Sequence, residues 1–127
     1  MLVDSLGLVL MVLVTAADVS DLAGAKQLLK GSSQLFPSLR LVWADSAYAG
    51  LIKWASRFWN WTVQLMKRPA GAIGFVVVPR RWVVERTFGW FMTYRRLWRD
   101  SEVLPPVSET MILVAMIHLM ARRASKI

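Results

Sequence analysis

An apolar run that ends on a carboxylate occupies residues 39–50, LRLVWADSAYAG. Residues 39–44 are apolar except for Arg40, which predicts a buried β-strand with Asp45 at its carboxyl end. Residues 46–50 predict a loop, and a helix to about residue 58 follows. Ligand-binding carboxylates of α/β folds often stand outside the carboxyl end of a strand. Asp45 is therefore a candidate ligand-binding residue, and its alternative role is a helix N-cap.

The rest of the chain also alternates between strand and helix patterns, without an internal repeat. The predicted elements are a hairpin over residues 2–14, a helix over 22–30 that Gly31 ends, the strand over 39–44, its helix to 58, a strand over 60–67 that begins at Asn60, a helix over about 80–98, and a last helix over about 105–123. The order β-β-α-β-α-β-α-α predicts one α/β domain over residues 1–127.

The composition favours a folded chain with an anionic partner. Of the 127 residues, 56% are hydrophobic, which is enough for one globular domain and excludes a disordered tail. Sixteen Lys and Arg stand against eight Asp and Glu, and the formal net charge of +8 favours DNA, RNA or an anionic membrane surface. The chain has no cysteine, so disulfides, thiolate metal sites and a cysteine nucleophile are excluded.

The apolar segments are too short for a membrane span. The mean hydropathy is +0.44, but the runs at residues 6–17 and 111–121 fall short of the roughly 20 residues that a transmembrane helix needs. The first run follows Asp4 rather than a basic segment, which argues against a signal peptide. We therefore expect no membrane partner. Such dense hydrophobicity indicates elements that are buried on most sides, or a piece of a larger domain.

A second acidic candidate lies on the predicted helix over residues 80–98. At about 100° per residue, Glu85 falls within an arc of about 80° that also holds Arg81, Gly89, Met92 and Arg96. Glu85 is either a salt-bridged surface residue or a metal ligand beside a glycine that leaves room for a phosphate. Sites with two magnesium ions need several converging carboxylates, and Asp45 and Glu85 could supply part of one.

Half of the basic residues are concentrated in about a quarter of the chain. Between residues 67 and 99, Glu85 is the only acid among eight basic residues, a local net charge of +7. The eight are Lys67, Arg68, Arg80, Arg81, Arg86, Arg95, Arg96 and Arg99. This segment predicts a DNA-facing surface that holds phosphates without reading bases, and a solvated helix face is the alternative.

Four stretches of the chain resemble the bacterial insertion-sequence DDE transposases of the four/five superfamily. They are LVDSLG at residues 2–7, ADVSD at 17–21 with Gly24 and Ala25, WADSAYAG at 43–50, and PRRWVVERTFGW at 79–90 with YRRL at 94–97. The resemblance implies a ribonuclease H-like core, a magnesium-dependent Asp-Asp-Glu triad, and cutting and joining of DNA at the ends of the element. It also implies a bacterial protein of the cytoplasm that associates with the nucleoid.

The resemblance also assigns roles to individual residues. Asp45 matches the second acid of the triad and Glu85 the third, which makes both of them catalytic and Mg²⁺-binding residues by resemblance. Arg81 matches the arginine four positions before the glutamate. Val78 stands where the family has a tyrosine, and Met92 and Thr93 stand where it has a basic residue. The predicted DNA-binding residues are Arg80, Arg81, Arg86, Arg95, Arg96 and Arg99.

The first acid of the family lies on a strand upstream of the hairpin, in sequence that these 127 residues do not contain. Asp4 matches the turn of the family's second strand, and we expect it to cap that turn. We therefore expect a partial DDE transposase domain, a ribonuclease H-like core that is incomplete at its N-terminus because the first strand is missing. The isolated chain is expected to be inactive, and an upstream reading-frame product would complete it.

Other functions remain open at this point. The alternative is a catalytically dead remnant that only binds DNA, at element ends or target sites, and that joins assemblies of full-length transposase as part of an oligomer. A cationic chain that associates with membranes is a third, weaker possibility. Most tryptophans are expected in the core, among them Trp82 and Trp98. Arg123 is expected to interact favourably with the negative end of the dipole of the last helix.

Overall fold

The computed structural model describes residues 1–58 and 61–126. The strands are β1 (Leu2–Val3), β2 (Val9–Met11), β3 (Leu41–Asp45) and β4 (Thr62–Met66). The helices are α1 (Asp21–Leu35), α2 (Leu51–Phe58), α3 (Arg81–Phe91) and α4 (Pro105–Ala124), with short 3-10 helices at Ser46–Tyr48 and Arg95–Leu97. This mixed α/β order confirms the predicted one. Asn60, the predicted first residue of β4, lies outside the described residues.

The chain forms two compact units. The hairpin unit comprises Met1–Ala17 and the chain from Val83 onward, and the parallel-strand unit comprises Asp18–Trp82. In the hairpin unit, β1 and β2 pair antiparallel. Asp4 Oδ1 accepts hydrogen bonds from the backbone N–H groups of Leu6 and Leu8, both at 2.8 Å. This contact confirms that Asp4 caps the turn.

The core of the hairpin unit lies between α3, α4 and the hairpin. Phe91, Ala115 and Met116 are buried together, and partly buried side chains pack around them. Those side chains are Met1, Leu8, Val9, Tyr94, Leu97, Ile112 and Leu119. Two prolines at the start of α4 suit its first turn, where backbone N–H groups have no partner within the helix. The apolar contact between elements distant in sequence holds this unit together.

The parallel-strand unit contains the predicted strand with Asp45 at its end. β3 pairs parallel with β4, from Leu41 opposite Thr62 to Asp45 opposite Met66. One residue of each strand is buried, Val42 of β3 and its ladder partner Val63 of β4. The core also includes Leu28, Leu29, Leu51 and Ala55. Because α2 connects two parallel strands, the carboxyl ends of β3 and β4 lie at the same edge of the sheet.

Two predicted helix ends were wrong. α1 runs through Gly31 to Leu35 and ends only before Pro37, which disfavours helical geometry in the residue before it. α3 ends at Phe91 rather than near residue 98. The Trp98 indole donates to the Met92 carbonyl at 2.7 Å, and the Thr93 hydroxyl donates to the Trp90 carbonyl at 2.7 Å. These side chains satisfy carbonyls that a longer helix would have used.

Because α3 ends at Phe91, the helix face predicted to hold Glu85 is shorter than expected. Only Arg81, Glu85 and Gly89 share a face of α3, because Met92 follows the helix and Arg96 lies in the second 3-10 helix. The tryptophan prediction was wrong at two positions, since Trp82 is 48% and Trp98 70% exposed. In the described part of the chain, we found no helix with the length and apolarity that a membrane span requires.

Candidate functional site

Asp45 ends β3 with its two carboxylate oxygens in different roles. Oδ1 accepts hydrogen bonds from the Ser46 backbone N–H at 2.5 Å and the Ser46 hydroxyl at 3.0 Å, so Asp45 is the N-cap of the first 3-10 helix. Oδ2 lies 3.8 Å from Nη2 of Arg81, and the Asp45 side chain is 40% exposed. Asp45 therefore caps the 3-10 helix through Oδ1, as one of its two expected roles required. Its Oδ2 faces Arg81 and solvent.

Trp43 and Asp45 lie two residues apart on β3, so their side chains project from the same face of the strand. The guanidinium carbon of Arg80 lies 4.0 Å from the centre of the Trp43 ring, a cation–π contact. The Trp43 indole also donates to Gln64 Oε1 of β4 at 3.0 Å. The consecutive residues Arg80 and Arg81 thus contact the two outward-facing residues at the end of β3.

The backbone of Arg80 adopts a left-handed conformation, with φ at +67°. Among the described residues, Arg80 is the one non-glycine residue with positive φ. This conformation costs a residue with a Cβ atom about 1–2 kcal/mol, and strain of this kind is often found at functional sites. Here the conformation accompanies the contact of Arg80 with Trp43 at the start of α3.

Two substitutions at Arg80 separate the strain from the side-chain contact. Both Arg80→Ala and Arg80→Gly remove the cation–π contact, worth about 0.5–1 kcal/mol at an exposed site. Only glycine also relieves the strain of the left-handed backbone. We therefore expect the free energy of unfolding of the Gly variant to be about 1 kcal/mol higher than that of the Ala variant. Urea denaturation followed by circular dichroism measures the difference. Equal stabilities would contradict a strained Arg80.

Tyr48 is a neighbour of the Asp45 carboxylate. Burial raises the pKa of the Tyr48 hydroxyl above its usual value, and the negative charges of Asp21 and Asp45 raise the pKa further. Tyr48 therefore stays protonated and neutral at physiological pH. A neutral hydroxyl at this edge of the sheet can donate a hydrogen bond to a phosphate without repelling it.

Glu85 lies in the middle of α3 and its side chain is exposed. It belongs to the hairpin unit, whereas Asp45 belongs to the parallel-strand unit. Gly89, one helical turn after Glu85, has open space around the position that a Cβ atom would take. The helix thus presents the Glu85 carboxylate beside a glycine without a side chain, and this leaves space for a phosphate.

The predicted DNA-binding arginines differ in their surroundings. Arg80, Arg81, Arg95, Arg96 and Arg99 are exposed, whereas Arg86 is half-buried. Nη2 of Arg86 donates to the Leu6 carbonyl at 2.7 Å, so this side chain also holds the hairpin turn. Nε of Arg96 donates to Glu102 Oε1 at 2.8 Å.

Asp45 is the residue of this region whose chemistry suits a divalent cation. A carboxylate oxygen such as Asp45 Oδ2 is a ligand that Mg²⁺ prefers, and its partial exposure lets a hydrated ion approach. The residues that the structure describes contain no group of three or more His, Cys, Asp or Glu side chains placed to hold a metal. Asp45 and Glu85 thus fit the donor chemistry of a divalent cation, but together they do not complete a three-carboxylate set.

Sequence reasoning missed the roles of Trp43 and Tyr48. Trp43 contacts the Arg80 guanidinium, and the negative charge of Asp45 acts on the pKa of Tyr48. The alternation of a strand places Trp43 on the Asp45 face, and this signal was present in the sequence. No local pattern indicates that Arg80 would reach back to Trp43, because the contact joins residues 37 positions apart.

Comparison with known proteins identifies the family. A family model described as "Transposase DDE domain" matches residues 1–120 of the chain. No curated protein and no solved structure gave a match. Transposases of this family act on DNA, and their DDE domains generally depend on a divalent metal. The match covers nearly the whole chain, so this protein belongs to the DDE transposase family and has a function related to DNA transposition.

Proposed function

We propose that Asp45 and Glu85 are the second and third acids of a DDE triad that binds Mg²⁺. In this proposal the chain forms part of a ribonuclease H-like core that cuts and joins DNA at the ends of a bacterial insertion sequence. The observation that carries the proposal is the position of Asp45, at the carboxyl end of a parallel strand with Oδ2 directed outward. The first acid of the triad comes from a strand outside these 127 residues.

The Asp45 carboxylate is held in a defined orientation by its neighbours. The Ser46 N–H and hydroxyl both bind Oδ1, so the rotation of the carboxylate is restricted and Oδ2 keeps its outward direction. Bound Mg²⁺ would activate the attacking oxygen and stabilise the leaving one. Arg81, 3.8 Å from Oδ2, can bind a phosphate that approaches the same carboxylate.

DNA binding would rest on the exposed arginines. Arg80 and Arg81 flank the carboxyl end of β3 in one unit, and Arg95, Arg96 and Arg99 follow α3 in the other. Contacts of arginine to phosphates neutralise backbone charge and release counterions, so affinity falls with salt whatever the base sequence. We therefore propose that these arginines bind element ends and target DNA at the nucleoid. Because contacts to phosphates do not read bases, other residues of the protein would select the position of cleavage.

A DNA-binding remnant without activity is the second candidate function. The exposed arginines Arg80, Arg81, Arg95, Arg96 and Arg99 support it, because contacts of arginine to phosphates require no metal. Such a chain would keep its arginine contacts to DNA and could join oligomers of full-length transposase. Salt-dependent DNA binding with no Mg²⁺-dependent cleavage is the behaviour that it predicts.

The two candidates are separated by a cleavage assay. The chain is expressed with and without the sequence encoded immediately upstream, and each protein is incubated with a labelled duplex that carries the element's ends. The first proposal predicts strand cleavage by the joined protein with Mg²⁺ and none with EDTA, while the chain alone only binds. Binding by both proteins without cleavage by either would support the remnant instead.

A further inference from the structure

Two arginines from distant parts of the sequence converge on one tryptophan in the hairpin unit. Trp90 lies on α3 and is half-buried. The guanidinium carbon of Arg86, one helical turn earlier, lies 5.0 Å from the centre of the Trp90 ring. The guanidinium carbon of Arg123, in the last turn of α4, lies 4.2 Å from the centre of the same ring. Arg123 therefore packs on Trp90 and is not only a partner of the α4 dipole.

The two ring contacts bring two positive charges close to one tryptophan. Each guanidinium lies within 5.0 Å of the ring centre, so the two cations can be no farther apart than the sum of their two distances. The ring attracts each of them, but the cations repel each other. An anion bound by both of them would relieve this repulsion, which makes the pair suited to a phosphate group.

The two guanidiniums are held in place before any ligand binds. Arg86 donates to the Leu6 carbonyl at 2.7 Å, and the next residue on α3, Thr87, donates to the Gly7 carbonyl at 2.6 Å. The guanidinium carbon of Arg123 lies over the Trp90 ring, 4.2 Å from its centre, and this cation–π contact restricts the side chain. A preorganised pair loses little conformational entropy when it binds, which raises its affinity.

The end of α4 adds further positive charge beside Arg123. Arg122, Arg123 and Lys126 are the charged residues after Glu109, and no acidic residue follows Glu109 in the sequence. Arg122 and Arg123 lie in the last helical turn, and both side chains are exposed. A polyanion that reaches this end of α4 meets several cations at once.

We propose that Arg86, Arg123 and Trp90 form a binding site for a backbone phosphate of DNA, separate from the acids at Asp45 and Glu85. This inference rests on the proposed function, because it takes DNA as the partner. It adds α4 to the DNA-binding surface, beyond the arginines between residues 80 and 99. A phosphate held here would fix the position of the duplex on the hairpin unit, without reading its sequence.

The test compares two neighbouring arginines of α4 in the full chain. Binding of a fluorescent duplex of arbitrary sequence is measured by anisotropy in EDTA, from about 50 to 200 mM salt. We expect Arg123→Gln to weaken binding and to reduce the slope of log affinity against log salt by about one. Arg122→Gln removes the same charge one position earlier and should change the slope much less. Arg123→Lys keeps the charge but loses the planar guanidinium that packs on Trp90, so it should recover only part of the affinity.

The possible results distinguish this inference from the proposed function. Equal effects of Arg123→Gln and Arg122→Gln, or no effect of either, would overturn the phosphate site while DNA binding by the unmodified chain persists. No DNA binding by the unmodified chain would overturn both proposals. Binding to vesicles with anionic lipid that depends on Arg123 more than DNA binding does would overturn DNA as the ligand. Unchanged thermal melting of the variants shows that an altered affinity is not caused by unfolding.

Discussion

Replacing Asp45 with Asn is expected to reduce Mg²⁺-dependent DNA cleavage by about a thousandfold in the protein that includes the upstream sequence. A metal ion supplies several kcal/mol of transition-state stabilisation, and about 4 kcal/mol corresponds to a thousandfold change in rate. Asparagine loses the negative charge that binds the cation. It caps helices as well as aspartate does, so the contacts to Ser46 remain possible.

The matched control for this substitution is Asp18→Asn. Asp18 is exposed in the same unit and undergoes the same change in charge. We expect Asp18→Asn to leave cleavage within about twofold of the unmodified protein, because the charge of an exposed side chain is screened by solvent and salt. Glu85→Gln should resemble Asp45→Asn. Asp45→Asn and Glu85→Gln should both still bind DNA in EDTA. Retained cleavage in either variant would show that the carboxylate it replaces is not a metal ligand.

Replacing Gly7 with Ala is expected to cause the largest loss of stability among the glycine substitutions. Gly7 has φ at +81°, and a Cβ atom there would lie 2.8 Å from Thr87 Oγ1 and 3.3 Å from the Trp90 ring. The backbone strain costs about 1–2 kcal/mol, and overpacking adds typically about 1–3 kcal/mol. The hairpin turn must move away from α3, which weakens the Thr87 hydrogen bond to the Gly7 carbonyl.

Two other glycines separate the contributions to this effect. Gly71 has φ at +79° but open space around it, so Gly71→Ala should show only the backbone strain, about 1–2 kcal/mol. Gly89 lies on α3 in open space without positive φ, so Gly89→Ala should stabilise the protein by up to about 1 kcal/mol. Urea unfolding of the three variants gives the comparison. A Gly7→Ala loss no larger than that of Gly71→Ala would contradict the close packing of the turn.

The sequence predicted those elements whose signal is local. β3 and the position of Asp45 follow from an apolar run that ends on a polar loop, and the Asp4 cap follows from a short turn motif. The end of α3 could not be predicted in this way. Thr93 donates to the Trp90 carbonyl and Trp98 to the Met92 carbonyl, and side-chain hydrogen bonds of this kind leave no periodic signal.

The residues of the candidate site could likewise be predicted only where their signal is local. The carboxylates at Asp45 and Glu85 could be named from motif and position, because strand ends and helix faces are set by neighbouring residues. The contacts of Arg80 with Trp43 and of Arg123 with Trp90 could not, since each joins residues more than 30 positions apart. Such contacts depend on tertiary packing. Arg80 moreover adopts a backbone conformation that arginine rarely takes, which a propensity argument would not predict.

The proposal that Asp45 and Glu85 are ligands of a divalent metal is tested most directly by paramagnetic broadening with Mn²⁺. Titration of Mn²⁺ into the ¹⁵N-labelled chain is followed in ¹H–¹⁵N spectra. The account predicts broadening of amide signals at residues 45–48 that is lost in Asp45→Asn, and broadening around Glu85 that is lost in Glu85→Gln. Broadening at neither place, or broadening that persists in the matching variant, would contradict it.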